Sequence, residues 1–341
     1  MDGKTPGPGL RNLITDVPGL RVGQAHDAAV RTGVTVILPD DRAVCACDVR
    51  GGGPGTRETD ALAPENLVEA VDAVVLSGGS VYGLAAADGV TAWLGARGRG
   101  YGMVEGVPKS PVAPAAILFD TANGGDKAWG EAPPYRELGR AAVAAAGLEV
   151  ALGTAGAGYG AVAGGLKGGT GSASVVSFDG FTVGAIVAVN SWGSVIAPGG
   201  RTFWAAPYEL GGEFGGLGPA GLRAAPDQWG SAKRADETRN TTIACVATDA
   251  ILTPAQAKRF AVMAQDGVAR AIRPIHAPFD GDVVFALSTG RRPLGDDANY
   301  VLARLGALAA DTLARAVARG VFEATPWPDA YVPCWRDLPA G

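Results

Sequence analysis

Glycine is unusually frequent in this chain, and it separates the apolar segments from one another. It supplies 52 of the 341 residues, about twice the usual share, and it follows no collagen-like period. Many glycines fall between short β-branched, apolar runs, where tight turns and close backbone contacts need a residue without a side chain. The pattern predicts a compact sheet protein whose loops are built on glycine.

Strand-like and helix-like patterns share the chain. Runs typical of strands occupy residues 34–38, 43–49, 71–76, 115–119, 173–178, 183–190, 241–248 and 283–288. Helical patterns cover residues 81–94 and 137–148, and two more helices are expected after Thr253 and after Asp296 or Asp297. This mixture predicts an α/β fold, a four-layer αββα sandwich in which two sheets stack and the helices lie outside.

Composition excludes several classes of partner. The net charge is −5 without a basic cluster, so nucleic acid and anionic membranes are poor candidates. The start of the sequence lacks the apolar run of a secretory signal, and the four cysteines form no CxxC pattern, so we expect a reduced, cytoplasmic protein. Metal-ligand spacing and nucleotide-binding motifs are missing from the sequence, and we therefore expect neither a metal nor a cofactor.

The chemistry points to the start of one strand. Residues 198–239 show no periodicity, which is unusual for so long a segment and suggests a functional role. This aperiodic segment leads into Asn240, Thr241 and Thr242, and then into a clean apolar strand. Histidine occurs only at positions 26 and 276, so a hydroxyl nucleophile needs another base.

An N-terminal α-amine has a pKa of about 7.7–8.0 and can serve as that base. We therefore hypothesise that the chain cuts itself between Asn240 and Thr241, with Thr242 as the alternative nucleophile. The simpler interpretation is that threonine is a common strand residue.

Several motifs, in the same order along nearly the whole chain, resemble the self-processing aminopeptidase family. That family includes the L-aminopeptidase/D-esterase, the β-aminopeptidases and the nylon-oligomer hydrolase. The motifs are Asp16-Val17-Pro18-Gly19, Asp48-Val49-Arg50-Gly51-Gly52, Leu76-Ser77-Gly78-Gly79-Ser80, Asn240-Thr241-Thr242-Ile243, Ala247-Thr248-Asp249-Ala250, Arg270-Ala271-Ile272-Arg273-Pro274 and Phe279-Asp280-Gly281-Asp282-Val283. The Asn-Thr bond and the Asp-Gly-Asp motif are most similar to the nylon-hydrolase branch.

The resemblance implies roles for particular residues. Thr241 would be the nucleophile, and Asp280 and Asp282 would orient it and bind the amine. Asn190 would donate to the developing oxyanion, and Lys167 would lie near the nucleophile. Each also has a structural interpretation: the two aspartates could cap a turn, Asn190 could close one, and Lys167 could be a solvated lysine.

Three further residues are candidates for substrate contacts. Ser80 and Tyr82 follow a Gly-Gly turn whose backbone N–H groups could face an anion, although a tight strand-to-helix turn explains them equally well. Phe119 aligns with a tyrosine of the nylon-hydrolase branch, so a hydroxyl contact would be missing.

The resemblance also implies two fragments that stay together in one structural domain. Residues 1–240 would form the larger subunit and residues 241–341 the smaller one, assembled further into a homotetramer that acts on a small amide or short peptide. Two alternatives remain: an acyltransferase of the ornithine-acetyltransferase type, and an uncleaved scaffold without activity.

Overall fold

The fold is described from a computed structural model that covers residues 5–220, 222–233, 240–329 and 332–339. The strands are β1 (Leu20–Asp27), β2 (Thr32–Pro39), β3 (Ala43–Val49), β4 (Thr56–Arg57), β5 (Ala70–Val71), β6 (Val74–Ser77), β7 (Ala115–Ile117), β8 (Val162–Ala163), β9 (Leu166–Lys167), β10 (Gly169–Val176), β11 (Thr182–Asn190), β12 (Thr241–Ala250) and β13 (Val283–Arg292). The α-helices are α1 (Ala86–Gly95), α2 (Tyr135–Ala144), α3 (Pro254–Ala271) and α4 (Ala298–Phe322).

Two sheets form the centre of the molecule. The first has the strand order β1-β2-β6-β7-β4, and the second has the order β10-β11-β12-β13-β3-β5. Most neighbours are antiparallel, but β6 with β7 and β12 with β13 run parallel. The short pair β8-β9 stands apart from both sheets.

Three apolar clusters define the layers. One lies between the sheets and contains Val22 and Leu76 of the first sheet with Cys245 and Phe285 of the second. Another joins the first sheet to α1 and α2, and the third joins the second sheet to α3 and α4. Because strand side chains alternate between faces, each sheet buries both faces, and the predicted four-layer αββα sandwich is confirmed.

The predicted start of α3 is also confirmed. Thr253 Oγ1 accepts a hydrogen bond from Gln256 N at 3.3 Å, while Gln256 Oε1 accepts one from Thr253 N at 2.9 Å. This reciprocal capping box satisfies two N–H groups at the helix start. The apolar stripe that includes Phe260 and Val268 faces the second sheet and is buried.

Other expectations need correction. Residues 71–76 are not one strand, because the chain passes from the second sheet at Val71 to the first sheet at Val74. A 3₁₀ turn at Ser80–Ala85 precedes α1. The glycine-dense residues 153–171, whose composition predicts a loop, contain β8 and β9, and so Lys167 lies in a strand.

The segment at 198–239 is mostly irregular where it is described, with a 3₁₀ turn at Ala206–Tyr208; residues 221 and 234–239 lie outside the described residues. Across the parts of the chain that the structure describes, no helix is long and apolar enough to cross a membrane.

Candidate active site

Four strand ends meet at one edge of the second sheet. Strand β11 ends at Asn190, and β12 starts beside it at Thr241, directly opposite in the antiparallel register. Strand β13 starts immediately after Asp282, next to β12, and β3 ends there as its antiparallel neighbour. This register brings together residues that are more than 200 positions apart in sequence.

Side-chain alternation separates the two threonines. Ile243 and Cys245 point into the layer between the sheets, while Ala244 and Val246 face α3 and α4. Thr241 therefore belongs to the inter-sheet face, and Thr242 belongs to the helix-covered face. Asn190 shares the inter-sheet face with Ala188.

The carbonyl group of Asn240 receives two hydrogen bonds. Thr241 Oγ1 donates to this oxygen at 2.5 Å, and the backbone N–H of Gly281 donates to it at 3.0 Å. A Cβ atom on Gly281 would stand 2.7 Å from Thr241 Oγ1, so no side chain fits at position 281 without displacing the hydroxyl. The Asn240–Thr241 peptide thus has a hydroxyl group next to its carbonyl and a backbone donor on the carbonyl oxygen.

Asp282 fixes the beginning of β12. Its Oδ1 accepts a hydrogen bond from Thr242 N at 2.7 Å, and its Oδ2 accepts one from His276 N at 3.2 Å. The ring Nδ1 of His276 lies 2.8 Å from the same Oδ2. His276 could not be placed at the site from sequence, because a lone histidine in a proline-containing loop carries no spacing signal.

Asp280 is fully buried one residue before Gly281. Its Oδ2 accepts a hydrogen bond from Ala277 N at 2.9 Å, and its backbone pairs with Asn240. Burial raises the pKa of Asp280 to about 6, and the charge of Asp282 adds to the rise. Asp280 is therefore the member of the two neighbouring carboxylates that binds a proton more readily than an ordinary aspartate.

A glycine loop holds the Asp280–Asp282 segment from the other side. Gly53 N donates to the carbonyl oxygen of Asp280 at 2.7 Å. A Cβ atom on Gly51 would come within 2.3 Å of that same oxygen. The glycines after Arg50 are thus required because two backbone segments pack in direct contact.

Lys167 and Asn190 are connected through a single peptide group. Lys167 Nζ donates to the carbonyl oxygen of Ala161 at 3.1 Å, and Val162 N, in the same peptide unit, donates to Asn190 Oδ1 at 2.9 Å. Lys167 is fully buried, and burial lowers its pKa to about 7. The interpretation of Lys167 as a solvated lysine is therefore wrong.

Of the three residues expected to contact substrate, not all lie near the strand ends that carry Thr241 and Asn190. Asn190 Nδ2 donates to the carbonyl oxygen of Phe119 at 2.9 Å, which ties Phe119 to the site. Ser80 N donates to Leu118 O at 2.9 Å, so Ser80 is attached to the segment that carries Phe119. Tyr82 is 51% exposed and packs edge-on against Trp129.

The turn before Ser80 does not offer the anion site considered from the sequence. Gly79 N donates to Asp120 Oδ1 at 2.7 Å, and Gly78 N and Ser80 N donate to backbone carbonyls. Burial raises the pKa of Asp120 to about 6. These N–H groups stabilise a tight strand-to-helix turn, which is the simpler of the two interpretations.

An aromatic group beside the site was also missed. Trp192 packs against Phe279 and Trp229 with ring centroids 5.3 and 5.5 Å away. Phe279 precedes Asp280, and Trp229 lines an open cavity of about 440 Å³. Isolated aromatics in an aperiodic segment give no signal from which this contact could be predicted. Over the described ranges, no group of three or more His, Cys, Asp or Glu residues is placed to hold a metal ion.

The arrangement of the sheets and outer helices is shared with solved structures. The L-aminopeptidase D-Ala-esterase/amidase of Ochrobactrum anthropi, described as a variant of the N-terminal-nucleophile (Ntn) hydrolase fold, superposes with a TM-score of 0.70. The match covers 97% of this chain and 91% of that one at 24% sequence identity. The fold is thus that of the Ntn hydrolases.

Residues 12–330 match the model of peptidase family S58, and the chain belongs to that family. It is 47% identical to an uncharacterized aminopeptidase of Mycobacterium tuberculosis, across 96% of this chain and 98% of that protein. It is also 29% identical to a 6-aminohexanoate-oligomer endohydrolase of an Agromyces species, across 82% of this chain and 76% of that protein. The chain is therefore a hydrolase of amide or peptide bonds.

Proposed function

We propose that this hydrolase exposes its own nucleophile by cutting the Asn240–Thr241 bond, and that Thr241 then cleaves substrate amides. The observation that carries the proposal is the pair of hydrogen bonds on the Asn240 carbonyl oxygen, from Thr241 Oγ1 and from Gly281 N. Thr242 is a weaker candidate, because its side chain belongs to the opposite, helix-covered face of β12.

In maturation, Thr241 Oγ1 attacks the carbonyl carbon of Asn240, and the Asn240–Thr241 C–N bond breaks. The hydroxyl proton passes to the leaving nitrogen, so that Thr241 gains a free amine and Asn240 becomes an ester on Oγ1. Water then hydrolyses this ester and regenerates the hydroxyl. Gly281 N–H stabilises the oxyanion, and in other enzymes a donor of this kind contributes about 10²–10³ in rate.

In turnover, the free amine of Thr241 accepts the Oγ1 proton while the oxygen attacks a substrate carbonyl. The leaving amine takes that proton, an acyl-enzyme forms, and water releases the acyl group. Asn190 faces Thr241 and uses one hydrogen of its amide group on Phe119 O. Its second amide hydrogen is a donor for the oxyanion.

The acidic residues have separate roles in this proposal. Asp282 holds Thr242 N and so fixes the position of the residue before it. Asp280 lies beside the Asn240–Thr241 bond, whose nitrogen becomes the new amine, and it orients that amine. Lys167 positions Asn190 through the peptide group between Ala161 and Val162.

The relatives support a substrate class for this proposal. We propose short amides, with aminoacyl amides and 6-aminohexanoate oligomers as the first to be assayed, in a cytoplasmic homotetramer of cut chains. The acyltransferase alternative differs in its second step, because an amine and not water would take the acyl group. Product analysis with and without an acceptor amine separates the two.

The test is the variant Thr241→Ala, compared with Thr242→Ala. Intact mass and N-terminal sequencing should show wild type and Thr242→Ala as fragments of residues 1–240 and 241–341, with Thr241→Ala uncut and inactive. A wild-type enzyme that hydrolyses amides as one uncut chain would overturn the proposal. A small fragment beginning at Thr242 would move the nucleophile by one residue.

A further inference from the structure

A lysine that the family match does not assign reaches the bond proposed to be cut. Lys233 lies seven residues before Asn240, and its Nζ donates a hydrogen bond to Asn240 Oδ1. The backbone N–H of Lys233 donates to Trp192 O at 2.9 Å, which holds this part of the chain against the aromatic group beside the site.

The positive charge of Lys233 also acts on one of the two aspartates of the Asp-Gly-Asp motif. Burial raises the pKa of Asp280, and the positive charge of Lys233 opposes that rise. Lys233 therefore acts on two neighbouring residues, through a hydrogen bond to the side chain of Asn240 and through its charge on the carboxylate of Asp280. Asn240 and Asp280 also pair with each other through their backbones.

We propose that Lys233 is a positioning residue for self-cleavage, which holds the Asn240 side chain so that the Asn240 carbonyl stays in front of Thr241 Oγ1. This inference rests on the proposed function. A hydrogen bond from an ammonium group restrains an amide side chain more strongly than one from a neutral donor. The backbone carbonyl of Asn240 must stay hydrogen-bonded to Gly281 N during the attack.

Lys233 and Asn240 belong to the same fragment, whereas Thr241, Asp280 and Asp282 belong to the other. The Lys233–Asn240 contact therefore serves the uncut chain, in which Asn240 is the acyl half of the reacting amide. Its expected effect is on the rate at which the precursor is cut.

The experiment follows precursor conversion by pulse–chase and gel electrophoresis. Lys233→Met keeps the aliphatic length without charge, and conversion should slow by about ten-fold or more because a charge-assisted hydrogen bond is lost. Lys233→Arg should remain within about three-fold of wild type, because it keeps the charge and N–H donors. Lys109→Met, at an exposed lysine, is the matched control and should convert like wild type.

A double-mutant cycle with Asn240→Leu separates positioning from a general structural effect. If Lys233 acts through the Asn240 side chain, adding Lys233→Met to Asn240→Leu should cause little further slowing. Should Lys233→Met not fold, Lys233→Gln takes its place in both measurements.

Two different failures can be told apart. If wild type is cut but Lys233→Met converts equally fast, or Lys233→Arg is as slow as Lys233→Met, this inference is wrong and the proposed function stands. If wild type is never cut at Asn240–Thr241, the proposed function fails and this inference fails with it.

Discussion

The imidazole Nδ1 of His276 lies 2.8 Å from Oδ2 of Asp282, and the other oxygen of that carboxylate accepts the backbone N–H of the residue after the proposed nucleophile. His276 also has a positive φ of 58°, a conformation that asparagine tolerates better than most residues. His276 and Asp282 together hold the backbone next to Thr241, and substitution of His276 tests this.

We predict that His276→Ala lowers kcat for amide hydrolysis by about ten- to a hundred-fold, because a hydrogen bond to a charged group is lost. His276→Asn should retain more activity, since it suits the left-handed backbone and keeps a short donor. The other histidine supplies the control: His26 is exposed on β1, and His26→Ala should leave kcat unchanged. Equal rates for His276→Ala and wild type would remove His276 from the site.

We predict that Asp280→Asn stabilises the fold at pH 8 while it abolishes activity. The folded pKa of about 6 exceeds the unfolded value, so wild type loses stability as pH rises from about 4 through 6. The amide does not ionise, and the free energy of unfolding at pH 8 should rise by about 1–3 kcal/mol.

Urea unfolding at pH 4 and pH 8 measures this difference, which should be near zero at the lower pH. Asp266→Asn, at an exposed residue of α3, controls for the loss of one negative charge. A difference of the same size at both pH values would show that ionisation of Asp280 is not its cause.

We predict that Lys167→Met and Asn190→Ala each lower kcat, and that the double variant is little worse than either. Both side chains act through the peptide group between Ala161 and Val162, and residues in one network typically couple by about 0.5–3 kcal/mol. Lys109→Met combined with Asn190→Ala should be additive. Full additivity of the Lys167 and Asn190 effects would mean that the two residues act separately.

We predict a large loss of stability for Glu213→Leu. Glu213 receives two hydrogen bonds from the buried guanidinium of Arg315 on α4, at 2.5 and 2.9 Å. Removing the carboxylate leaves a buried charge unpaired, which costs about 3–5 kcal/mol, while the double variant Glu213→Leu/Arg315→Met should recover much of it.

Urea midpoints measure both changes. The control is the surface pair of exposed Arg336 and half-buried Glu323, and Glu323→Gln should shift stability by no more than about 1 kcal/mol. A Glu213→Leu variant as stable as wild type would show that the buried pair does not stabilise the fold.

The parts of this fold that are local in sequence could be predicted from sequence. The continuous apolar run at residues 241–248 predicted β12, and the Thr253–Gln256 capping box located the start of α3. Each depends on residues only a few positions apart, where propensity and hydrogen bonding act directly.

What could not be predicted depends on long-range register. Val71 and Val74 lie in different sheets, which no periodicity within residues 71–76 reveals. The burial of Lys167 follows from backbone carbonyl groups that surround it, and the contact made by His276 follows from the position of Asp282. The motif resemblance made Thr241 and Asp280 candidates, but the hydrogen bond from Gly281 N to the Asn240 carbonyl could be found only in the structure.

The strand order of the second sheet has a consequence for the enzyme after the proposed cut. Strands β12 and β13 follow the proposed cleavage point, yet they lie between β11 on one side and β3 on the other, which both precede it. The two fragments would therefore share one sheet. Neither could dissociate unless the hydrogen bonds between β11 and β12 and those between β13 and β3 were broken. Dilution should not inactivate the mature enzyme, and isotopically labelled and unlabelled molecules should not exchange their pieces when mixed.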